Sequence, residues 1–180
     1  MQLSGGNSSV EYNPHTDIMN EVYLKQAYVY ASNSADKSTQ NGALLIHPTR
    51  GILLGDCNGL PRGIQDKPER WVRPDKYCYV EHAERNVIYK AAQRGIPTEG
   101  LWMCCPWYSC TDCARAIIQA GITKVIGHKD MFYRMPDRWK ESCERGIEML
   151  EESGIECVYW QGSVGDGLFS ILMDGKEFYP

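Results

Sequence analysis

Two cysteines, Cys110 and Cys113, stand three positions apart in the stretch C-T-D-C, where a segment of helical periodicity begins. Side chains at positions i and i+3 of a helix lie on one face, and the positive end of the helix dipole favours their thiolate form. Because thiolates are zinc ligands, this spacing indicates half of a metal site. A thioredoxin-like redox pair is the alternative interpretation of the same spacing.

The missing ligand is expected to be a neutral histidine at the start of another element. His82 opens a predicted helix, and Glu84 follows it by two positions. One histidine and two cysteines leave the fourth tetrahedral position of zinc open to water, as in catalytic sites, and the metal lowers the pKa of that water. Glu84 could then exchange protons with the water without competing for the metal. A structural zinc site would need a fourth protein ligand, for which Cys78, Cys104 and Cys105 are the candidates.

The elements that would position these residues are helices and strands that alternate along the middle of the chain. Predicted helices cover residues 17–32, 82–94, 110–120 and 139–153, and predicted strands cover residues 42–47, 51–55, 101–105, 124–128 and 155–160. Residues 58–80 contain several prolines and glycines and predict a long loop, which in a compact domain is usually functional. This alternation predicts a three-layer α/β/α domain. The other cysteines and histidines are interpreted as packing, structural or solvated residues: Cys57, Cys143, Cys157, His15, His47 and His128.

The size of the chain predicts one domain with one core. It has 180 residues, of which 43% are hydrophobic. Residues 1–16 are rich in Gly, Ser and Asn and predict a flexible tail. The domain is expected to span residues 17–160, followed by an extension over residues 161–180. Asp-Gly pairs at 166–167 and 174–175 indicate that this extension forms a hairpin.

Charge and hydropathy exclude some classes of partner. The formal net charge is −4 and the pI is about 5.6, which argues against a protein that holds a long nucleic acid. No apolar run approaches the roughly 20 residues needed to span a bilayer. Because the N-terminal residues lack the features of a signal peptide, we expect a cytoplasmic protein with reduced thiols.

The two metal motifs together resemble the signature of the zinc-dependent cytidine deaminase superfamily, H-x-E…P-C-x-x-C. The chain has H-A-E at 82–84 and C-T-D-C at 110–113. It departs from the signature at Ser109, where the family usually has proline. Ser109 and Asp112 have the spacing of a capping box, so we expect the serine to cap the same helix. The resemblance implies zinc as cofactor and a cytidine deaminase-like sandwich around a mixed five-stranded sheet.

Within the superfamily, residues 17–160 are similar to the deoxycytidylate (dCMP) deaminases, including those of bacteriophages. The similarity includes C-N-G-L-P-R-G at 57–63, the insertion before H-A-E, and the run A-R-A-I-I-Q-A-G-I-T-K-V-I at 114–126. It implies hydrolytic deamination of dCMP to dUMP and ammonia, a reaction that supplies dUMP for thymidylate synthesis. For a phage product, the compartment would be the host cytoplasm.

The resemblance also implies residues that contact the nucleotide. Asn58 would hydrogen-bond the sugar or phosphate, and the backbone of Ala83 would contact the pyrimidine edge. Arg62 is the candidate for the phosphate because, among the cations of the long loop, it lies nearest to Asn58 in sequence. Arg73 and Lys76 are interpreted as part of a solvated loop of mixed charge. The candidates to stack on the base are Trp107, Tyr108, Phe132 and Tyr133.

Regulation, assembly and competing activities complete the expectations. The resemblance implies dCTP and dTTP as effectors, although Cys57 replaces the tyrosine of the segment that the family associates with them. It also implies a homo-oligomer, commonly a hexamer. The alternatives are a tRNA or single-stranded DNA deaminase, a deaminase of dCTP, deoxycytidine or 5-substituted dCMP, and a non-catalytic zinc-binding module.

Overall fold

The computed structural model describes residues 14–165, 167 and 170–180. Its central sheet contains five strands: β1 (Gly42–His47), β2 (Gly51–Cys57), β3 (Trp102–Cys104), β4 (Lys124–His128) and β5 (Glu156–Trp160). Their spatial order is β2-β1-β3-β4-β5. β1 pairs antiparallel with both β2 and β3, whereas β3, β4 and β5 are parallel. The predicted mixed five-stranded sheet is therefore confirmed.

The helices are α1 (Pro14–Ser32), α2 (Lys76–Tyr79), α3 (Ala83–Gln93), α4 (Thr111–Gln119), α5 (Asp130–Arg134) and α6 (Asp137–Glu152), and a 3₁₀ turn covers Pro68–Trp71. α1 begins three residues before its predicted start, so residues 14–16 belong to the helix and not to a tail. The rest of the predicted tail, 1–13, lies outside the described residues. The sequence did not predict α5, and residues 58–80 contain the 3₁₀ turn and α2 in addition to loop.

Alternate residues of the strands pack against helices on opposite faces of the sheet, as the two-residue period of a strand requires. Leu44 and Ile46 of β1 contact α1 through its apolar residues, among them Tyr28. Leu45 of β1 and Met103 of β3 face the other way, against α3, α4 and α6. Because both faces are covered, the strands read as continuous apolar runs. This is the predicted three-layer α/β/α architecture.

A two-stranded hairpin lies beyond the sheet. Its strands are β6 (Ile171–Met173) and β7 (Lys176–Phe178), joined by Asp174 and Gly175. Gln40, in the connection from α1 to β1, donates its backbone N–H to the carbonyl of Leu172 at 2.8 Å. The hairpin is thus attached to the segment that precedes β1. No helix among the described residues is long and apolar enough to cross a membrane.

Candidate active site

The starts of two neighbouring helices bring the three predicted metal ligands together. His82 and Cys110 are the residues that immediately precede α3 and α4, and Cys113 lies in the first turn of α4. Nδ1 of His82 lies 3.6 Å from Sγ of Cys110 and 3.4 Å from Sγ of Cys113. In a tetrahedral site with the usual Zn–S and Zn–N bond lengths, a nitrogen and a sulfur ligand are about 3.6 Å apart. The arrangement fits zinc bound through Nδ1.

No fourth protein ligand joins this group in the part of the chain that the structure describes. Its members are His82, Cys110 and Cys113, whose ligand atoms all lie within 4.8 Å of one another. The three cysteines considered for a closed site are elsewhere: Cys78 is exposed, Cys104 packs in the core beside α1, and Cys105 accepts a hydrogen bond from Asn41 at 3.2 Å. A three-ligand site leaves one tetrahedral position for water, which is the pattern of catalytic zinc.

The pKa values of the two thiols in the triad shift in opposite directions. A hydrogen bond with Cys113, supported by one with His82, lowers the pKa of Cys110 to about 3. The same hydrogen bond and burial raise the pKa of Cys113 well above its usual range. Nη1 of Arg85 lies 3.8 Å from Sγ of Cys113 and is held there by an ion pair with Glu81. The triad therefore favours a thiolate at Cys110, and the guanidinium group beside Cys113 favours a second one.

Glu84 is a buried carboxyl group beside this triad. Its side chain lies in the first turn of α3, the residue is 2% exposed, and its Oε2 has no hydrogen-bond partner in the part of the chain that the structure describes. Burial raises the pKa of Glu84, while the charge of His82 opposes the shift. A carboxyl group with a raised pKa and an unpaired oxygen is suited to take up and release a proton during a reaction.

Helix α6 fixes the start of α4, and the predicted capping box is wrong. The side chain of Cys110, which precedes α4, does not cap the helix, and the buried Oγ of Ser109 has no hydrogen-bond partner among the described residues. Instead Oγ of Ser142, on α6, accepts the backbone N–H of Thr111 at 3.2 Å. A Cβ on Gly146 of α6 would collide with the carbonyl oxygen of Ser109. Because glycine allows this close approach, a tertiary contact replaces the local cap that the sequence suggested.

A cavity of about 100 Å³ opens beside the triad and is the natural place for a substrate. Its wall includes His82, Glu84 and Cys110 from the metal site. Of the residues predicted to bind substrate, the following also line it: Asn58, Ala83, Trp107 and Tyr108. The two helix starts therefore bring the metal motifs and these four residues to one cavity, although the motifs are far apart in sequence.

The other predicted substrate residues do not line the cavity. Arg62 is exposed in the long loop. Phe132, on α5, packs against Tyr108 with ring centroids 5.2 Å apart, and Tyr133 is 71% exposed on the outside of Phe132. The unpredicted helix α5 explains this placement, because it directs Phe132 toward the ring of Tyr108 and not into the cavity. The structure therefore does not bring Arg62, Phe132 or Tyr133 to the site.

The side-chain amide of Asn58 forms most of its hydrogen bonds with other residues of the protein. Its Nδ2 donates to Oδ2 of Asp36 at 3.1 Å and to the carbonyl of Thr39 at 2.8 Å, and its Oδ1 accepts the backbone N–H of Asn41 at 2.8 Å. Both amide hydrogens are used, which leaves one lone pair of Oδ1 for a ligand. Asn58 thus joins the segments that form one wall of the cavity.

The cavity wall also contains residues that were not among the predicted substrate contacts, and three of them bear on ligand binding. Arg73, on the long loop, and Arg138 and Trp139, in the first turn of α6, all line it. The ring of Trp139 meets the ring of His82 edge-on, with centroids 5.6 Å apart. Sequence reasoning used Trp139 only as an apolar marker of a helix. No local signal connects Arg138 with Arg73, because 65 positions separate them and only the tertiary fold brings both to the cavity.

A histidine and two cysteines at adjoining helix starts, with a buried glutamate beside them, define a zinc-dependent hydrolytic site on an α/β/α fold. The sequence profile of the cytidine and deoxycytidylate deaminase zinc-binding region matches residues 18–129 of the chain. The protein therefore belongs to the family of zinc-dependent cytidine and deoxycytidylate deaminases.

Individual relatives agree with this assignment. An uncharacterized deaminase of Aliivibrio fischeri, encoded in the luxG 3′ region, is 33% identical over 138 residues, which are 77% of this chain and 90% of that protein. Human deoxycytidylate deaminase is 33% identical over 119 residues, 63% of this chain and 66% of the human protein. The crystal structure of a dCMP deaminase from cyanophage S-TIM5, in complex with dCMP and dUMP, has a TM-score of 0.61 and 26% identity; the match covers 82% of this chain and 98% of that one.

Proposed function

We propose that the protein deaminates dCMP hydrolytically, converting dCMP and water to dUMP and ammonia. The observation that carries the proposal is the buried, unpaired carboxyl of Glu84 on the same cavity wall as the triad of His82, Cys110 and Cys113. Relatives named as deoxycytidylate deaminases, and the similarity to a phage enzyme solved with dCMP and dUMP, support the choice of substrate.

In this mechanism, His82 Nδ1 and the two thiolates hold zinc, which supplies Lewis-acid activation of a water molecule. Glu84 receives the proton that the water loses as its oxygen adds to C4 of the cytosine ring. The same carboxyl then gives this proton to N3, takes a second proton from the new C4 hydroxyl and passes that proton to the departing amino group, so that ammonia leaves and a carbonyl remains at C4. Its raised pKa allows Glu84 to act alternately as base and acid.

In this proposal, other residues of the cavity wall contact the base and the sugar. We assign the pyrimidine edge to the backbone of Ala83, and contacts with the ring to Trp107 and Tyr108. The buried Nε1 of Trp107 has no hydrogen-bond partner among the described residues, and we assign its N–H to a polar atom of the nucleotide. The remaining lone pair of Asn58 Oδ1 can accept a hydroxyl hydrogen of the sugar. These assignments share the cavity that contains Glu84.

A competition assay tests the proposal. Purified zinc-loaded protein is incubated with deoxycytidine, dCMP, dCTP and a cytosine-containing oligonucleotide together, and each product is quantified by mass spectrometry. We expect preferential formation of dUMP. Preferential editing of the oligonucleotide would instead support the polynucleotide alternative, against which the net charge of −4 argues. No conversion of any substrate by zinc-loaded protein would contradict a catalytic role for the site.

Several expectations from the sequence and from the family resemblance stay predictions alongside this function. They are regulation by dCTP and dTTP, assembly into a homo-oligomer, a cytoplasmic location, and the division into a domain over residues 17–160 with flanking segments. The effectors can be added to the same assay at subsaturating dCMP. A sigmoidal dependence of rate on dCMP that dCTP abolishes would be the expected sign of regulation.

A further inference from the structure

Two arginines at the cavity share one carboxylate from the terminal hairpin. Nη2 of Arg73 lies 2.8 Å from Oδ1 of Asp174, and Arg138 reaches the same carboxylate with Nη2 at 2.5 Å and Nη1 at 3.4 Å. Both arginines line the cavity that contains the triad, whereas Asp174 belongs to the turn between β6 and β7. The carboxylate thus comes from a segment outside the central sheet.

The other cations near the triad are committed to the protein. Lys76 also lines the cavity, but its ammonium is paired with the buried carboxylate of Asp36. Arg85 points to Cys113 and is paired with Glu81. Among the described residues that line the cavity, the arginine pair therefore presents the cationic groups best placed to meet an anion from solvent.

We propose that Arg73 and Arg138 form the subsite for the 5′-phosphate of the nucleotide, and that Asp174 occupies this subsite until the phosphate displaces it. The inference rests on the proposed function, because it assumes a nucleotide whose base lies at Glu84. It deepens that function by naming the residues that distinguish a nucleotide from a nucleoside.

Charge and geometry favour such an exchange. A guanidinium group binds carboxylate and phosphate oxygens through the same planar fork of N–H donors. With Asp174 in place the three side chains carry a net charge of about +1, and without it about +2, which balances the −1.5 to −2 of a phosphate monoester at pH 7. Retention of the carboxylate would place two anions on the same donors. The phosphate therefore gains most when Asp174 moves away.

The hairpin does not depend on the Asp174 carboxylate for its position. Gly175 donates its backbone N–H to the carbonyl of Ser38 at 2.7 Å, and Leu172 exchanges hydrogen bonds with the backbone and side chain of Gln40, each at 2.8 Å. These bonds hold the turn while the side chain rotates. The ion pairs are also weak enough to exchange, because all three side chains are more than a third exposed.

The turn allows a conservative test of the carboxylate. Asp174 has φ of 50° and Gly175 has φ of 79°, as a two-residue type I′ turn requires. Asparagine adopts this left-handed conformation readily, and Asn-Gly is the preferred pair for such a turn. Asp174→Asn therefore removes the charge while the hairpin is expected to stay.

The experiment compares Arg73→Gln, Arg138→Gln and Asp174→Asn with the parent protein, all zinc-loaded. Arg50→Gln, in the exposed turn between β1 and β2, is the charge-matched control. KM and kcat are measured for dCMP and for deoxycytidine. We expect KM for dCMP to rise about 10- to 100-fold in each cavity arginine variant, because the substitution removes a charge-assisted contact with phosphate. KM for deoxycytidine, which has no phosphate, should stay unchanged. Asp174→Asn should lower KM for dCMP about two- to fivefold, the scale of an exposed ion pair.

Calorimetric titration with dUMP and deoxyuridine gives a second readout that needs no turnover. The arginine variants should lose affinity for dUMP only. Equal losses for dUMP and deoxyuridine would show a purely structural role, and a higher KM for dCMP in Asp174→Asn would show that the aspartate organises the arginines and does not compete. If the parent protein does not deaminate dCMP but binds dUMP, and the arginine variants lose that affinity, the proposed function fails and the subsite stands. If it deaminates dCMP and the arginine variants match the control, the subsite fails alone.

Discussion

The ammonium group of Lys76 lies 2.5 Å from Oδ2 of Asp36, and the two side chains are only 10% and 1% exposed. Lys76 opens α2 in the long loop, whereas Asp36 lies between α1 and β1. The same carboxylate accepts the backbone N–H of Ser38 at 2.8 Å and Nδ2 of Asn58 at 3.1 Å. This ion pair fastens the long loop to the wall that contains Asn58, and so closes the cavity on one side.

Replacing Asp36 should lower the free energy of unfolding more than replacing Lys76. Asp36→Asn leaves a buried ammonium without a counter-ion, and we expect it to lower the free energy of unfolding by about 3–5 kcal/mol. Lys76→Met leaves a carboxylate that still accepts several N–H groups, so its cost should be smaller. Urea denaturation measures both values.

Glu141 supplies the control for this comparison, because its ion pair with Arg145 is exposed. Glu141→Gln should change the free energy of unfolding by less than about 1 kcal/mol. Equal costs for Asp36→Asn and Lys76→Met would show that the hydrogen bonds to the carboxylate contribute little.

Glu84→Gln should separate catalysis from metal binding. The substitution keeps the shape of the side chain but removes the carboxyl that carries protons, so we expect kcat for dCMP to fall about 10²- to 10⁴-fold. Because Glu84 is outside the group of metal ligands, the zinc content should match that of the parent protein. Atomic absorption measures the zinc, and product formation measures kcat. Near-normal turnover by Glu84→Gln would contradict the assignment of Glu84 as the proton carrier.

Loss of a cysteine ligand should cost metal and stability together. Cys113→Ser removes a thiolate that joins the starts of α3 and α4, so we expect the purified variant to lack zinc and to unfold at a lower temperature. Cys78→Ser is the matched control, because Cys78 is exposed and lies outside the triad. If the two variants bound zinc equally well, another set of ligands would have to hold the metal.

Most of the fold could be predicted because its signals are local. Apolar runs and helical spacing identified the five strands of the sheet and the helices α3, α4 and α6, and turn residues separated them. The sequence did not predict α5, whose five residues are too few for a helical period to emerge. It also misplaced the start of α1, since helix ends depend on contacts that spacing does not encode.

The structure brings the predicted metal motifs together, whereas it brings only some of the predicted substrate residues to the cavity. His82, Cys110 and Cys113 carry their chemistry in residue type and spacing, so the signature located them without tertiary information. Arg62 was chosen for its nearness to Asn58 in sequence, but the fold directs it to solvent and brings Arg138 to the cavity. Proximity along a loop is a poor guide to proximity in space when the partner lies on a helix formed much later in the chain.

His128 joins three parts of the structure in its neutral form. It is 1% exposed at the end of β4; its Nδ1 lies 2.6 Å from the hydroxyl of Tyr28 on α1, and its Nε2 lies 2.9 Å from the carbonyl oxygen of Gly162. The carbonyl requires Nε2 to donate, so Nδ1 accepts from the tyrosine. The sequence-based interpretation of His128 as a structural histidine is thereby confirmed. Burial lowers the pKa of His128, while the Gly162 carbonyl and Asp130 oppose the shift and Arg134 adds to it.

This lowered pKa should make stability depend on pH in a defined direction. Above about pH 6.5, the usual pKa of histidine, the imidazole is neutral in both folded and unfolded chains. As the pH falls below that value the unfolded chain binds a proton that the folded chain does not, so stability should decrease by up to about 1.4 kcal/mol per pH unit until the folded pKa is reached. His128→Gln removes this titration and keeps a donor and an acceptor. Urea denaturation between pH 5 and 7.5 should therefore show a stability difference between parent and variant that shrinks as the pH falls, whereas parallel curves would mean that His128 has the same pKa in both states.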